Sequence, residues 1–432
     1  MTIKVLIPLM FLALSAQAQQ SMTLTDAMQL ALKNNLDLKI AENDALAAHN
    51  NNHAGNAGML PSVTFNAGGT PAITNINQKF TNGTVIERNN VLSNSINANL
   101  IASYTLFDGN RMFAVKNRLE FQDEAAQHAF QSRVQSTLSN VVATYSAVLR
   151  HQEYLKVLEI SETASRARLQ LTEQRQAVGL ANKADVLMAK LDLETRTQAV
   201  QSQKAMVGKA FVDFNLLLNQ PVDSVYNLQA INLSGTSFNK QALDSMLNKN
   251  PDWLLAQNSL DIVAQIEREI GAARMPLVRL NGAYNYNYSQ SQAGFSLYNQ
   301  GMGPQLGLSL SVPLFTGNVN KVNYTNAKLN VQSAELRKTQ IQQNLKAALS
   351  QAWLDYEVAL QQCQTDSVAV KMADDYAALM DLRFTNGQNT IIELIESQKM
   401  YLETYYRYIN AQYVLKLAET QLMVLSGQLV KF

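Results

Sequence analysis

The sequence predicts an α+β membrane protein, built from very long helices interrupted by a few strands. Three observations predict it. The chain repeats itself at a fixed spacing, and two stretches of roughly 68 residues carry an unbroken helical stripe without proline. In addition, segments between the helices alternate apolar and polar residues with the period of a strand.

The N-terminus reads Met1-Thr2-Ile3-Lys4, then an apolar stretch from Val5 to Leu14, then Ala16-Gln17-Ala18. This is the basic start, short apolar core and small-x-small ending of a secretory signal over residues 1–18, with cleavage expected after Ala18. The stretch is shorter than the roughly 20 apolar residues a spanning helix needs, and no cysteine follows to take a lipid anchor. Beyond it no run of about 18 apolar residues occurs, so any membrane crossing is left to closed β-strands. A formal net charge of +1 gives no sign of a nucleic-acid partner.

Laid on itself, the chain shows Leu106-Phe107-Asp108-Gly109-Asn110 returning as Leu314-Phe315-Thr316-Gly317-Asn318, a shift of 208 residues from Gly109 to Gly317. The same shift carries Gly179 onto Gly387 and Tyr145 onto Trp353. Pro61 and Pro276 lie 215 apart, so the halves differ by a small insertion upstream. A repeat of this length implies two copies of one large unit, here residues 19–220 and 240–432, joined by a linker at 221–239.

Each copy opens with an amphipathic helix, at 23–54 and 240–273, which Pro61 and Pro276 close. Two strands follow, expected as hairpins at 63–106 and 278–314 with polar loops at 70–94 and 289–304. Ile96, Ala98, Leu100, Ala102, Tyr104 and Leu106 share one face of a strand, as do Leu306, Leu308, Leu310, Val312 and Leu314 of another. Tyr284, Tyr286 and Tyr288 also fall on one face near a loop, as an interfacial aromatic girdle would. A half-buried soluble sheet alternates in the same way, so the strands alone leave both readings open. Long helices then run over 111–178 and 319–386, about 100 Å each at 1.5 Å per residue. A stripe of that length must bury itself along other helices, as a coiled coil or tubular bundle. Gly179 and Gly387 break the pattern, and shorter helices return over 183–218 and 389–426. Four strands cannot close a barrel, and two chains would give one too narrow for an open lumen. The simplest closed assembly is therefore a trimer with twelve strands.

The ordered set, twice over, resembles the outer-membrane efflux protein family, TolC-like, across essentially the whole mature chain. The resemblance implies a trimeric twelve-stranded outer-membrane barrel continuous with a long periplasmic coiled-coil barrel. It also implies docking on an inner-membrane pump through a periplasmic adaptor, with outer-membrane lipid as the barrel's surroundings. Val178-Gly179-Leu180, and Asn386-Gly387-Gln388 in the second copy, match the family's adaptor-docking tips. The second departs from the usual Val-Gly-Thr. Glu393 and Glu396 fall where the family carries two acidic residues one turn apart at the periplasmic entrance; at i and i+3 they share a face. Asp185 matches a family aspartate that bonds across that entrance, and Asn389 stands where some relatives carry a locking arginine.

No rival chemistry competes. The chain holds no Gly-x-Ser-x-Gly, phosphate loop or His-Glu-x-x-His, and neither an enzyme nor a cofactor is expected. His49 and His53 have an i, i+4 spacing, with Asp44 as a third candidate, and are read as surface histidines rather than a metal site. Asn82-Gly83-Thr84 is read as a turn, and Cys363 as a small buried hydrophobe. The alternative of another class is an exported, non-channel coiled-coil stalk.

Overall fold

The computed structural model describes residues 21–231, 238–293 and 296–429. The signal segment at 1–18 and part of the expected linker lie outside the described residues. By its contacts the chain divides into two units. One takes the chain up to Ala41, Gln131–Asn250 and everything from Asn344; the other is Glu42–Phe130 with Pro251–Gln343.

The element order is β1 (Ser21–Met22), α1 (Leu24–Asn34), α2 (Leu36–Asn51), β2 (Ser62–Lys79), β3 (Val85–Phe107), α3 (Arg111–Ala177), α4 (Lys183–Leu218) and β4 (Asn227–Leu228). The second copy follows with α5 (Lys240–Met246), α6 (Pro251–Ala272), β5 (Leu277–Ser291), β6 (Tyr298–Ser311), α7 (Val319–Thr385) and α8 (Ile391–Leu425). The chain is thus mostly helical with a small antiparallel sheet, an α+β fold.

The opening helices, expected to be continuous, are each broken once. Asn35 ends α1 and starts α2, its Oδ1 accepting from the Leu38 N–H while its Nδ2 donates to the Leu217 carbonyl. The counterpart break falls at Asn250-Pro251, because a proline is favoured in the first turn of a helix and excluded from its interior.

In the second unit the sheet runs β2-β3-β5-β6, every pair antiparallel. Residues 70–94, expected as a loop, are mostly strand. The ladder continues through Thr70↔Ser95 to Lys79↔Val85, and only a tight turn remains, in which Gly83 takes a φ of 87° and its N–H donates to the Phe80 carbonyl. The polar composition of this stretch hides the ladder, because its pairing is made by backbone groups that polar side chains can flank as well as apolar ones. At the other end β6 stops at Ser311, short of the expected 314, because Pro313 has no N–H to continue the ladder. Pro71 and Pro304 lie in the outer strands β2 and β6, where a missing donor is tolerated.

In the first unit the long helices bury a layered core. Leu349, Ala352, Tyr356 and Ala359 of α7 meet Leu415, Ala418 and Leu422 of α8, together with Leu243 of α5. Tyr145 is fully buried, packs edge-on against Phe214, and its hydroxyl lies 2.9 Å from the Met22 carbonyl and 2.8 Å from that of Gln229. It thereby ties the short parallel pair β1–β4 to α3.

Candidate functional site

Two features of this fold bear on function: the faces of the sheet and the tips of the helical hairpins. Register divides the sheet cleanly. Phe65, Leu100, Tyr284 and Pro304 stand in one cross-strand row, and Val63, Ala102, Gly282 and Leu306 in another, so one face is apolar. The next residue along each strand gives rows such as Asn66, Asn99, Asn285 and Gly303, so the opposite face is polar. Asn66 donates to Asn99 at 3.0 Å, and Ser103 to Asn281 at 3.0 Å. The apolar face is uncovered: Phe65 is 67% and Leu306 78% exposed. The outer edges of β2 and β6 pair with no other strand among the described residues.

The two tips share one backbone solution. Gly179 and Gly387 take φ values of 78° and 72°. Leu180 N–H donates to the Arg175 carbonyl, and Gln388 N–H to that of Arg383, both at 2.8 Å, giving the six-to-one bond of a Schellman ending. Each returning helix then opens with a capping box. Asn182 Oδ1 accepts from Asp185 N–H while Asp185 accepts from Asn182 N–H at 2.9 Å; Thr390 and Glu393 do the same, with the Glu393 carboxylate 2.9 Å from Thr390 N. The 208-residue shift carries Asn182 onto Thr390 and Asp185 onto Glu393. These two acids are repeat mates with a structural duty in their own hairpins. Glu396 is exposed on the same helix, and no hydrogen bond or ion pair joins it to Asp185 or Glu393 among the described residues.

Val178 and Leu180 are 70% and 79% exposed. In the second tip Asn386, Gly387 and Gln388 are exposed as well. Asn389 turns inward: its Nδ2 donates to the Met380 carbonyl at 3.0 Å, and its Oδ1 is buried without a partner. Behind the tips Ala189, Phe384, Ile391 and Leu394 form a small apolar core.

Sequence reasoning missed a buried ionic cluster above the first tip. Asp192 accepts from Ser165 Oγ at 2.6 Å, from Arg168 at 3.1 Å and from Arg196 at 3.1 Å, and Arg168 also donates to Gln398. Burial presses the Arg168 guanidinium below its ordinary pKa, and Asp192 opposes that shift. Only Asp192 and Arg196, at i and i+4, left a trace in the sequence.

His49 and His53 do not converge. His49 Nδ1 lies 3.0 Å from Asp123, whereas His53, past the end of α2, accepts from Gly55 N–H. Among the described residues no group of three or more His, Cys, Asp or Glu could hold a metal. Nor is any helix there long and apolar enough to cross a membrane.

The sequence model for outer membrane efflux proteins matches residues 27–218 and 242–428, both halves of the duplication. The chain belongs to the outer membrane efflux protein family. It is an outer-membrane transport protein rather than an enzyme, and membership in this family sets the stalk alternative aside. The outer membrane efflux protein BepC of Brucella suis biovar 1 (strain 1330) is 22% identical over 426 residues, covering 96% of this chain and 88% of that one. The proteases secretion protein PrtF of Dickeya chrysanthemi is 23% identical over 343 residues, covering 75% and 70%. Among solved structures, the outer membrane protein VceC of Vibrio cholerae superposes with a TM-score of 0.76 at 16% identity, covering 94% of this chain and 96% of that one. The fold is therefore that of the efflux family's outer-membrane proteins.

Proposed function

We propose that three copies of this chain form an exit duct, their sheets closing as one twelve-stranded barrel in the outer membrane and their helical hairpins forming its periplasmic part. One observation carries the reading: a sheet with one apolar and one polar face whose two edges are both unpaired. Unpaired edges are not tolerated in hydrocarbon, so four strands must borrow others. Two chains would supply eight, a barrel that side chains fill; three supply twelve, with room for an aqueous lumen on the polar face. The duct conducts passively what an inner-membrane pump delivers through a periplasmic adaptor. The name of BepC speaks for efflux and that of PrtF for protease secretion, so either an efflux or a type I secretion system fits.

At the periplasmic end, Asp185, Glu393 and Glu396 form the selectivity gate. Around a threefold axis each would supply a ring of carboxylates, and such rings favour cations at a constriction. Val178-Gly179-Leu180 and Asn386-Gly387-Gln388 dock the adaptor, and the exposure of Val178 and Leu180 supports an apolar contact there. Residues 1–18 direct export and are removed after Ala18.

Single-channel conductance of the purified protein in planar bilayers tests the reading, with wild type set against Glu393→Gln/Glu396→Gln. Glutamine at the third position of a capping box keeps its bond to the cap, so charge is removed without opening the helix. The expected result is a small cation-selective conductance whose selectivity falls several-fold in the variant. Unchanged selectivity would discard the gate residues and keep the duct; a folded trimer that never conducts would overturn the duct itself.

A further inference from the structure

Arg175, in the last turn of α3, reaches out of its own hairpin. Its Nη2 donates to the Phe384 and Thr385 carbonyls at 2.8 and 2.9 Å, and its guanidinium lies over the Phe384 ring, 4.7 Å from the centroid. These are the final carbonyls of α7; that of Phe384 also takes the Gly387 N–H at 2.9 Å and has a second lone pair for Arg175, and a cation there faces the negative end of the helix dipole. The contact fastens the first hairpin to the second within one chain.

The 208-residue shift carries Arg175 onto Arg383, in the last turn of α7. It carries Gln176 and Ala177 onto Phe384 and Thr385. Yet Arg383 is exposed and its side chain makes no hydrogen bond, ion pair or ring contact among the described residues. Gln176 and Ala177 are exposed too, and no side chain donates to their carbonyls. One chain therefore holds one complete clasp and two halves of a second that do not meet.

We infer that Arg383 clasps the Gln176 and Ala177 carbonyls of a second copy of this chain. In a closed ring of alternating hairpins every second hairpin has a first hairpin on either side, one from its own chain and one from the next. The rotation that lays the first hairpin on the second then lays the second on the neighbour's first. It carries the Arg175 clasp across the boundary between chains as an Arg383 clasp. The clasp between chains is the plainer of the two, because Gln176 stands where Phe384 offers its ring. The inference rests on the ring assembly proposed above, and it names the contact that joins one protomer to the next at the tips.

The test is cysteine cross-linking in the full chain carrying Cys363→Ala, using a short bismaleimide after the native mass has been measured. Arg383→Cys/Ala177→Cys is expected to give dimer and trimer bands on a denaturing gel. Arg175→Cys/Thr385→Cys should consume its thiols and stay at monomer mass. If the protein is not a trimer, the assembly falls and the clasp with it. If it is a trimer, the control pair reacts and the Arg383 pair gives no bands between chains, the clasp alone is overturned. A second variant reads the same contact without cross-linking. Arg383→Glu sets a carboxylate against those carbonyls and should raise the resting conductance of the trimer several-fold, whereas Arg383→Lys should not. An Arg383→Glu trimer that conducts as the wild type does would overturn the clasp.

Discussion

The two helical hairpins share their turns and differ in their cores. Gly179 and Gly387, Asn182 and Thr390, Asp185 and Glu393 coincide under the 208-residue shift and make matching bonds. Inside, the same shift sets Ser165, Arg168, Asp192 and Arg196 of the first hairpin against Ala373, Tyr376, Met400 and Thr404 of the second. It also sets the buried pair Tyr145 and Phe214 against Trp353 and Leu422. A turn is a contract between residues close in sequence, so each copy keeps it alone. A core answers to whatever packs against it, and the two hairpins have different neighbours.

The ionic cluster gives the largest way to break this comparison. Asp192→Ala takes from Arg168 and Arg196 the carboxylate they share in a buried site, and should cost about 3–5 kcal/mol. Its mate Met400 is 48% exposed, and Met400→Ala should cost less than about 1 kcal/mol. Replacing all three charges by apolar residues of similar size should come close to neutral. Thermal midpoints by circular dichroism check all three, and an Asp192→Ala loss no greater than that of Met400→Ala would dissolve the contrast.

Next is Tyr145. Tyr145→Phe strips a donor from the Met22 and Gln229 carbonyls, at about 1–3 kcal/mol. Trp353→Phe, at a position only half-buried, should cost less. Burial also pushes the Tyr145 hydroxyl up from 10.0 to about 12. A pKa raised by folding contributes stability that is complete below pH 10 and lost as the pH rises toward 12. Unfolding midpoints of the wild type should therefore fall across that window, more steeply than those of Tyr145→Phe.

The glycines give a smaller effect, and here the copies should agree. A Cβ at Gly179 or Gly387 would meet no atom within 4 Å. Alanine at either should therefore cost only the left-handed backbone, about 1–2 kcal/mol. Unequal losses would mean that one tip carries a contact the other lacks.

The same division explains how much was legible in the sequence. The helical stripes and the alternating strands come from local spacing, and the α+β class follows from them. Residues 70–94 are hard to read because most of their side chains are polar, the ladder is made by backbone groups, and a bulge that skips Asn75 interrupts the alternation between Thr74 and Ile76. The break at Asn35 rests on a bond to the distant carbonyl of Leu217, which no local pattern encodes, whereas that at Asn250 is legible in Pro251 and is only reinforced by the bond from Asn250 to the Leu425 carbonyl. At the tips, Glu393 and Glu396 were legible as a pair on one face. That Glu393 and Asp185 close capping boxes is equally legible, in Thr390-x-x-Glu393 and Asn182-x-x-Asp185.

That double duty sets the smallest and sharpest prediction. Thr390→Ala and Asn182→Ala remove the cap itself and should each cost about 1 kcal/mol. Glu393→Gln keeps the reciprocal bond and loses only the favourable meeting of a carboxylate with the positive end of α8, about 0.3–1 kcal/mol. Asp185→Asn should lose a similar amount at α4. If cation selectivity tracks charge, Glu393→Gln will weaken it while barely moving the thermal midpoint, and Thr390→Ala will do the reverse. Selectivity lost equally in both would mean that Glu393 acts only by holding the first turn of α8 in place. The carboxylate would then be a cap that happens to stand where a gate was expected.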